Sequence, residues 1–217
     1  MARATLTISS KNYSSWSLRG WLMVKMSGIP FDEVLSAVDD VDARAEILLL
    51  SPSILVPSLR YDKLKVWDTL AIGEFLNEVA PKAGLLPADR AARARCRSVC
   101  GEMHSGFSSL RSALPMNIKA RFPNFKIWSK AIPDIERIST IWRECLSDSG
   151  GPWLFGKPTM ADAMYAPVAL RFQTYNVRLE GELAAYCERV LAWPALREWI
   201  ADAEAEKEEI EELEVEF

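Results

Sequence analysis

Apolar and polar positions follow two different periods along this chain. Up to residue 80, short apolar runs alternate with segments of helical period, whereas beyond residue 88 only the helical period remains. The predicted order in the first part is β-α-β-α-β-β-α, over 4–9, 14–28, 31–37, 41–50, 56–59, 65–67 and 68–79. Further helices are predicted over 89–114, 126–147, 159–175 and 183–207. The pattern therefore predicts an α/β domain followed by an all-α domain.

The segment between these two parts has the composition of a linker, P-K-A-G-L-L-P from Pro81 to Pro87. We place the domains at 1–80 and 91–217, with residues 81–90 as the linker. A chain of 217 residues fits one large domain or two small ones, and 49% hydrophobic side chains are enough for a sizeable core.

The net charge of −4 is distributed unevenly. The stretch from Asp202 to Phe217 contains nine acidic residues and one lysine, so the rest of the chain is slightly positive. We interpret this acidic tail as the solvated end of the last helix, with a partner-binding tail as the alternative. Nothing in the charge pattern indicates a nucleic-acid partner.

Two kinds of segment are not found in the sequence. No apolar run reaches 18 residues, and the first residues do not resemble a signal peptide, so we expect a cytoplasmic protein without a membrane span.

The four cysteines (Cys96, Cys100, Cys145 and Cys187) form no C-x-x-C pair and are predicted to be free thiols. Cys96, Cys100 and His104 follow at intervals of four, but with no fourth ligand we predict no metal site.

The most informative chemistry lies between residues 51 and 76. Pro57 interrupts the apolar run I-L-V-P-S-L, where it removes a backbone donor and holds Val56 in an extended conformation. Eleven residues later, Asp68 and Thr69 end a strand-like run and begin an amphipathic helix. The N-terminus of a helix binds carboxylates through its free N–H groups. Together these features predict a site for a small zwitterionic peptide.

Four segments resemble motifs of the cytosolic glutathione transferases. They are the cis-proline segment at 54–59, the acid-plus-hydroxyl helix start at 68–72, the helix cap G-K-P-T-M-A-D at 156–162 and the run Y-S-S-W-S-L-R at 13–19. The last is similar to the S-S-x-S-x-R run of the zeta class, whose catalytic residue is serine. The resemblance implies a thioredoxin-like domain followed by a helical bundle domain, glutathione as co-substrate, a small electrophile as second substrate, a role in detoxification and a homodimer.

By this resemblance, the residues around Pro57 and Asp68 bind glutathione. Leu55, Val56 and Pro57 form the cis-proline segment, in which the backbone of Val56 pairs with the cysteinyl backbone of the peptide, as an added strand would. Thr69 holds the γ-glutamyl carboxylate, and Asp68 receives the ammonium group.

Three residues near the first helix are candidates for activating the thiol. Ser14 matches the zeta-class serine, Ser15 follows it, and Tyr13 is included because other classes use tyrosine. Lowering a thiol pKa by about 2 units requires about 2.7 kcal/mol. A hydroxyl hydrogen bond to a charged group supplies about 1.5–3 kcal/mol, and a helix N-terminus adds about 0.3–1 kcal/mol. All three candidates remain open.

The resemblance also implies a pocket for the second substrate. Its expected lining residues are Met103, His104, Phe107, Arg111 and Arg171. Zeta enzymes that isomerise maleylacetoacetate use an arginine at the position of Thr174 here, so the motif for that reaction is incomplete. We expect a glutathione S-transferase that attacks an electrophile. The alternatives are a cis-trans isomerase of the maleylacetoacetate or maleylpyruvate type, and a non-catalytic binding protein with the transferase fold.

One motif is predicted to serve folding rather than chemistry. Thr159-x-x-Asp162 has the form of a capping box with Asp in place of Glu. The helix that follows is too apolar for a surface position. Replacing Asp162 is therefore expected to harm folding more than catalysis.

Overall fold

The computed structural model describes residues 4–36 and 56–207. Four of its strands form one sheet: β1 Ala4–Ile8, β2 Phe31–Leu35, β3 Ser58–Tyr61 and β4 Leu64–Trp67. The order across the sheet is β2-β1-β3-β4; β1 and β2 are parallel, and β3 is antiparallel to both β1 and β4. This mixed sheet is thioredoxin-like, as predicted.

Two helices of this half begin at the residues that the sequence singled out. Helix α1 spans Ser15–Ser27 and helix α2 spans Thr69–Val79. Helix α1 ends at Gly28, which has a φ of 72°, a conformation that glycine adopts without steric cost. The apolar residues of α1 are almost all buried, so the helix lies between the sheet and the rest of the protein.

The segment that contains Pro57 lies directly against α1. A Cβ atom at Gly20 would come within 2.7 Å of the Pro57 ring, so only glycine allows this close approach. The peptide bond between Val56 and Pro57 is cis, as predicted. Strand β3 begins at Ser58 rather than at Val56, because proline has no N–H group to donate to the sheet. The predicted helix over 41–50, and Leu55, lie outside the described residues.

The second half of the chain is helical, as predicted. Its helices are α3 Arg90–Ser105, α4 Ser108–Ala113, α5 Ile132–Ser149, α6 Met160–Thr174, α7 Gly181–Leu191 and α8 Pro194–Ala205. Helix α6 is central, since every residue except Gln173 is buried. One hydrophobic core runs from β1 through α1 to α6 and its neighbours.

Three of the predicted helices have different limits in the structure. The helix over 89–114 breaks before Ser108 because Phe107 has a φ of 61°. The helix over 126–147 begins only at Ile132, with Pro133 in its first turn. The helix over 183–207 divides at Pro194. In each case the apolar period continues across the break, so hydrophobicity alone did not reveal it.

Asp162 forms the predicted capping box of α6 and also accepts hydrogen bonds from two residues outside that motif. Its carboxylate accepts hydrogen bonds from the backbone N–H and the hydroxyl of Thr159, from the Leu154 N–H and from the Tyr186 hydroxyl, at 2.8–3.2 Å. Burial raises the pKa of Asp162 to about 6, although the hydrogen bonds oppose this shift. Asp162 therefore joins α6, α7 and the loop before α6.

Part of the acidic tail is not the solvated end that the sequence predicted. Helix α8 ends at Ala205, and the side chain of Glu206 contacts the loop before α1. The last ten residues, 208–217, lie outside the described part of the chain. Within the described residues, no helix is long and apolar enough to cross a bilayer.

Candidate active site

Ser14 is the N-cap residue of α1. Its Oγ accepts a hydrogen bond from the Ser17 backbone N–H at 3.2 Å and donates one to Ser17 Oγ at 2.9 Å. Tyr13, Ser14 and Ser15 are all at least 95% buried. The structure therefore places the three candidate hydroxyl residues together at the positive end of one helix.

Asp68 and Thr69 form the second helix start of the site. Asp68 has a φ of 72°, and its carboxylate accepts hydrogen bonds from the N–H groups of Leu70 at 2.8 Å and Ala71 at 3.2 Å. The Thr69 hydroxyl oxygen is buried and has no hydrogen-bond partner among residues 4–36 and 56–207. A buried hydroxyl without a partner costs free energy, and a ligand carboxylate at this helix N-terminus would satisfy it.

His104 lies nearer to Asp68 than the sequence suggested. We expected it to line the second-substrate pocket, but its Nε2 contacts Asp68 Oδ2. Burial alone would raise the pKa of Asp68. The contact with His104 and the bonds from the α2 N–H groups outweigh burial and hold that pKa below its usual value. Asp68 is thus an ionised group that already has a cationic or hydrogen-bonding partner from α3.

Trp16 connects the two helix starts to the helical domain. The His104 ring lies 5.0 Å from the Trp16 ring, and the guanidinium groups of Arg19 and Arg111 lie over it at 4.6 and 4.8 Å. Sequence reasoning assigned no role to Trp16 or Arg19, although both belong to the S-S-x-S-x-R run. The sequence motif contains both residues, but only the fold shows that this segment faces α3 and α4.

Three arginines from α1, α4 and α6 lie close together, and two of them, Arg19 and Arg111, lie over Trp16. Arg19, Arg111 and Arg171 form no ion pair with any acidic residue in the described ranges. Arg19 Nη1 and Arg111 Nε are buried without a hydrogen-bond partner. The other contacts are with carbonyl groups and a thioether: Arg19 donates to the Met164 carbonyl at 2.8 Å, and Arg171 donates to the Leu114 carbonyl.

Burial lowers the pKa of each of these arginines. For Arg19 the neighbouring Arg111 and Arg171 lower it further, and the pKa of Arg171 falls to about 9. Asp134 opposes the shift at Arg111, whose pKa is also lowered. The cluster is a concentration of positive charge in a dry environment, so it favours an anion.

The remaining predicted pocket residues, Met103 and Phe107, both belong to the buried core. The Met103 sulfur is 3.3 Å from Arg19 Nη2, next to the cluster. Phe107 has a left-handed backbone that ends the line of α3. Thr174, at the position of the zeta-class arginine, donates its hydroxyl to the Asn117 carbonyl at 2.9 Å. That position offers no cation.

The cysteines do not belong to this site. All four are buried free thiols, as predicted. Over residues 4–36 and 56–207, no cluster of three or more His, Cys, Asp or Glu side chains is suited to hold a metal ion.

Comparison with known families agrees with this geometry. Residues 13–79 match the family described as the N-terminal domain of glutathione S-transferase, and residues 91–202 match its C-terminal domain. The chain belongs to the glutathione S-transferase family. The matched ranges contain Ser14, Asp68 and the arginines of the cluster.

The individual relatives have low sequence identity to this chain, 26–27%. The chain is 27% identical over 174 residues to a maleylacetoacetate isomerase from Rattus norvegicus, which covers 76% of each protein. It is 26% identical over 175 residues to a probable maleylacetoacetate isomerase 1 from Drosophila melanogaster, covering 76% of this chain and 67% of that protein.

Solved structures share the fold across almost the whole chain. A glutathione transferase homologue from Burkholderia, solved with bound glutathione, is 22% identical and has a TM-score of 0.71 over 95% of this chain and 100% of its own. A glutathione S-transferase from the Antarctic clam Laternula elliptica is 20% identical, with a TM-score of 0.66 over 95% of each chain. At these identities the likeness establishes the fold alone.

Proposed function

We propose that this protein binds glutathione between the Pro57 segment and the start of α2, and that it directs the thiolate at an electrophile. The observation that carries the proposal is the buried hydroxyl of Thr69, which lies at a helix N-terminus and has no hydrogen-bond partner in the described part of the chain. A γ-glutamyl carboxylate placed there accepts a bond from the Thr69 hydroxyl at the positive end of α2, beside the Leu70 and Ala71 N–H groups that donate to Asp68.

The cis-proline segment and Asp68 supply the other proposed contacts of glutathione. Leu55 and Val56 precede Pro57, and the backbone of Val56 pairs with the cysteinyl residue of the peptide. The ammonium group approaches Asp68, whose carboxylate then shares its bonds between the ligand and His104. The thiol reaches the start of α1.

At that helix start Ser14 can donate a hydrogen bond to the thiolate. Its hydroxyl now donates to Ser17 Oγ, and that oxygen also accepts a hydrogen bond from the Ser9 backbone N–H at 3.0 Å. The Ser14 proton can therefore turn to a ligand while Ser17 stays bonded. Ser15 and Tyr13 remain the alternative donors. In the reaction the sulfur forms a bond to the electrophilic carbon, the leaving group departs with its electron pair, and the thiol proton goes to solvent.

The first test concerns Thr69. We expect Thr69→Val, which removes the hydroxyl at nearly constant volume, to weaken glutathione binding about 10- to 100-fold, the usual effect of a hydrogen bond to a charged group. The free energy of unfolding should stay the same or rise, because the variant no longer buries an unpaired hydroxyl. Titration calorimetry and urea unfolding measure the two quantities.

Thr140 provides the matched control for this test. It lies on α5, is partly exposed, and donates to the Glu136 carbonyl at 2.9 Å. Thr140→Val should leave glutathione affinity unchanged. If the unmodified protein does not bind glutathione at millimolar concentration, the proposed function is wrong.

The arginine cluster favours one second candidate, isomerisation of a maleyl compound. Such substrates carry carboxylates, and Arg19, Arg111 and Arg171 lie beside the proposed thiol site without an acidic partner. In this reaction the thiolate adds to one carbon of the cis double bond, rotation follows, and elimination restores the thiolate, so glutathione is not consumed. Relatives named as maleylacetoacetate isomerases agree with this candidate.

Arg111 distinguishes the two candidates, because it is the least buried member of the cluster. If the substrate is an anion, Arg111→Met should lower kcat/KM for maleylacetone about 10- to 100-fold while conjugation of an uncharged chloronitrobenzene changes little. Arg95→Met, which removes an exposed ion pair on α3, serves as the control. Absence of maleylacetone turnover together with good conjugation would exclude the isomerase.

The expected assembly and location complete the proposal. We propose a cytoplasmic homodimer, since two-fold dimers are the commonest oligomers. A non-catalytic binding protein is the weaker alternative, because Ser14, Asp68 and Thr69 are all present at helix starts. Light scattering measures the oligomeric state directly.

A further inference from the structure

The side chain of Glu206 binds the loop that leads to Ser14. Its Oε2 accepts hydrogen bonds from the Ser10 hydroxyl at 2.8 Å and the Asn12 N–H at 2.8 Å, and its Oε1 accepts one from the Lys11 N–H at 3.1 Å. Glu206 is thus the acceptor for two consecutive backbone amides that lie almost 200 residues earlier in the chain. Charged acceptors make the strongest bonds of this kind.

Ser10 transmits this contact to the proposed catalytic residue. The Ser10 hydroxyl that donates to Glu206 also accepts a hydrogen bond from the Tyr13 N–H at 3.3 Å. The Ser10 carbonyl accepts one from the Ser14 N–H at 3.0 Å. Because Ser10 and Asn12 are fully buried, no solvent can replace a lost acceptor without rearrangement.

Other contacts hold neighbouring atoms but not these amides. The Trp199 indole donates to the Lys11 carbonyl at 2.9 Å, and Lys11 Nζ forms ion pairs with Asp202 and Glu33. On the other side, Lys119 Nζ donates to the Glu206 carbonyl, so the charged groups that face this contact are Lys11, Lys119, Asp202 and Glu33. None of them can accept a bond from the loop N–H groups in place of the Glu206 carboxylate without moving.

We propose that Glu206 is a positioning residue that fixes the loop from Ser10 to Asn12 and thereby holds Ser14 at the thiol site. The inference rests on the proposed function, because it concerns the serine that activates glutathione. The catalytic half of the fold then depends on the last described residues of the helical half.

The direction of the shift in the thiol pKa distinguishes a positioning role of Glu206 from a direct effect of its charge. Removing a negative charge near the thiol would by itself favour the thiolate and lower the thiol pKa. Displacing Ser14 would weaken its hydrogen bond and raise that pKa. A rise on removal of Glu206 can therefore come only from the lost contacts.

The test is a titration of bound glutathione, followed by the ultraviolet absorbance of the thiolate. In Glu206→Ala we expect the pKa of the bound thiol to rise by about one unit. At pH values below that pKa, kcat/KM should therefore be about 10-fold lower than in the unmodified protein. Activity should approach that of the unmodified protein at higher pH. Glu206→Gln keeps one acceptor oxygen and should show a smaller shift.

Glu204→Ala is the matched control, because this exposed acid lies two residues earlier, near the end of α8. It should change neither the titration nor the activity. An unchanged or lowered thiol pKa in Glu206→Ala, or an equal loss of activity at every pH, would overturn the role of Glu206. If the unmodified protein forms no thiolate with glutathione, the proposed function itself fails, which is a separate result.

Discussion

Ser14→Ala is expected to raise the pKa of bound glutathione by one to two units and to slow conjugation about 10- to 100-fold at neutral pH. The hydroxyl supplies a hydrogen bond to a charged sulfur, worth about 1.5–3 kcal/mol, and each 1.36 kcal/mol corresponds to one pKa unit. The helix dipole at the start of α1 remains in the variant, so a smaller stabilisation of the thiolate persists.

The pH profile distinguishes this loss from damage to the fold. If Ser14 acts on the thiolate, the activity of the variant should recover as the pH rises through the new thiol pKa, and glutathione affinity should change little. Ser15→Ala and Tyr13→Phe are the comparisons, because both residues lie within one residue of Ser14. A larger effect from either of them would transfer the role, and a uniform loss across pH would contradict it.

Asp162→Ala is expected to lower the free energy of unfolding by about 3–5 kcal/mol, the range for removing one partner of a buried charged network. Four donors would lose their common acceptor: two of Thr159, one of Leu154 and the hydroxyl of Tyr186. Glutathione affinity of the remaining folded protein should be near normal, since Asp162 lies in the centre of the helical domain. Urea unfolding with a parallel glutathione titration tests both statements.

Asp162 also predicts a pH dependence of stability. Its pKa is about 6 in the folded protein and about 3.9 in the unfolded chain, so the folded state binds the proton more tightly. This stabilisation is fully present below about pH 4 and is lost by the time the pH has risen through 6, a change of about 3 kcal/mol. Asp162→Asn cannot ionise there and should lack this component when unfolding is measured from pH 4 to 7.

The parts of the fold that follow from local rules were predicted from the sequence. The capping residues Ser14 and Asp68 mark the starts of α1 and α2 because short polar side chains satisfy free N–H groups. Gly28 marks the end of α1, because glycine adopts the left-handed conformation of a helix end without steric cost. The breaks at Phe107 and Pro194 were missed, since the apolar period that buries α3, α4 and α8 continues on both sides of them.

Only part of the site was predictable from the sequence, because some of its residues contact groups that lie far away in the chain. Ser14 is the cap of α1 and Thr69 is the first residue of α2, so their local sequence context carries the information. Trp16, Arg19 and Glu206 act through groups that lie far away in the chain. Arg19 meets Arg111 only after α1 packs against the helical domain, and the Glu206 contact needs α8 to end beside β1 and α1.

The sequence by itself determined the α/β and helical halves and the two helix starts at Ser14 and Asp68, because each depends on periodicity and capping within a few residues. The family and the thioredoxin-like fold followed from the resemblance of four short motifs. Only the tertiary structure decided that His104 pairs with Asp68, that three arginines lie close together with no ion pair to an acid among the described residues, and that Glu206 contacts the loop before the serine. These contacts join residues separated by 36 to 196 positions, and such pairs are brought together by packing of the common core.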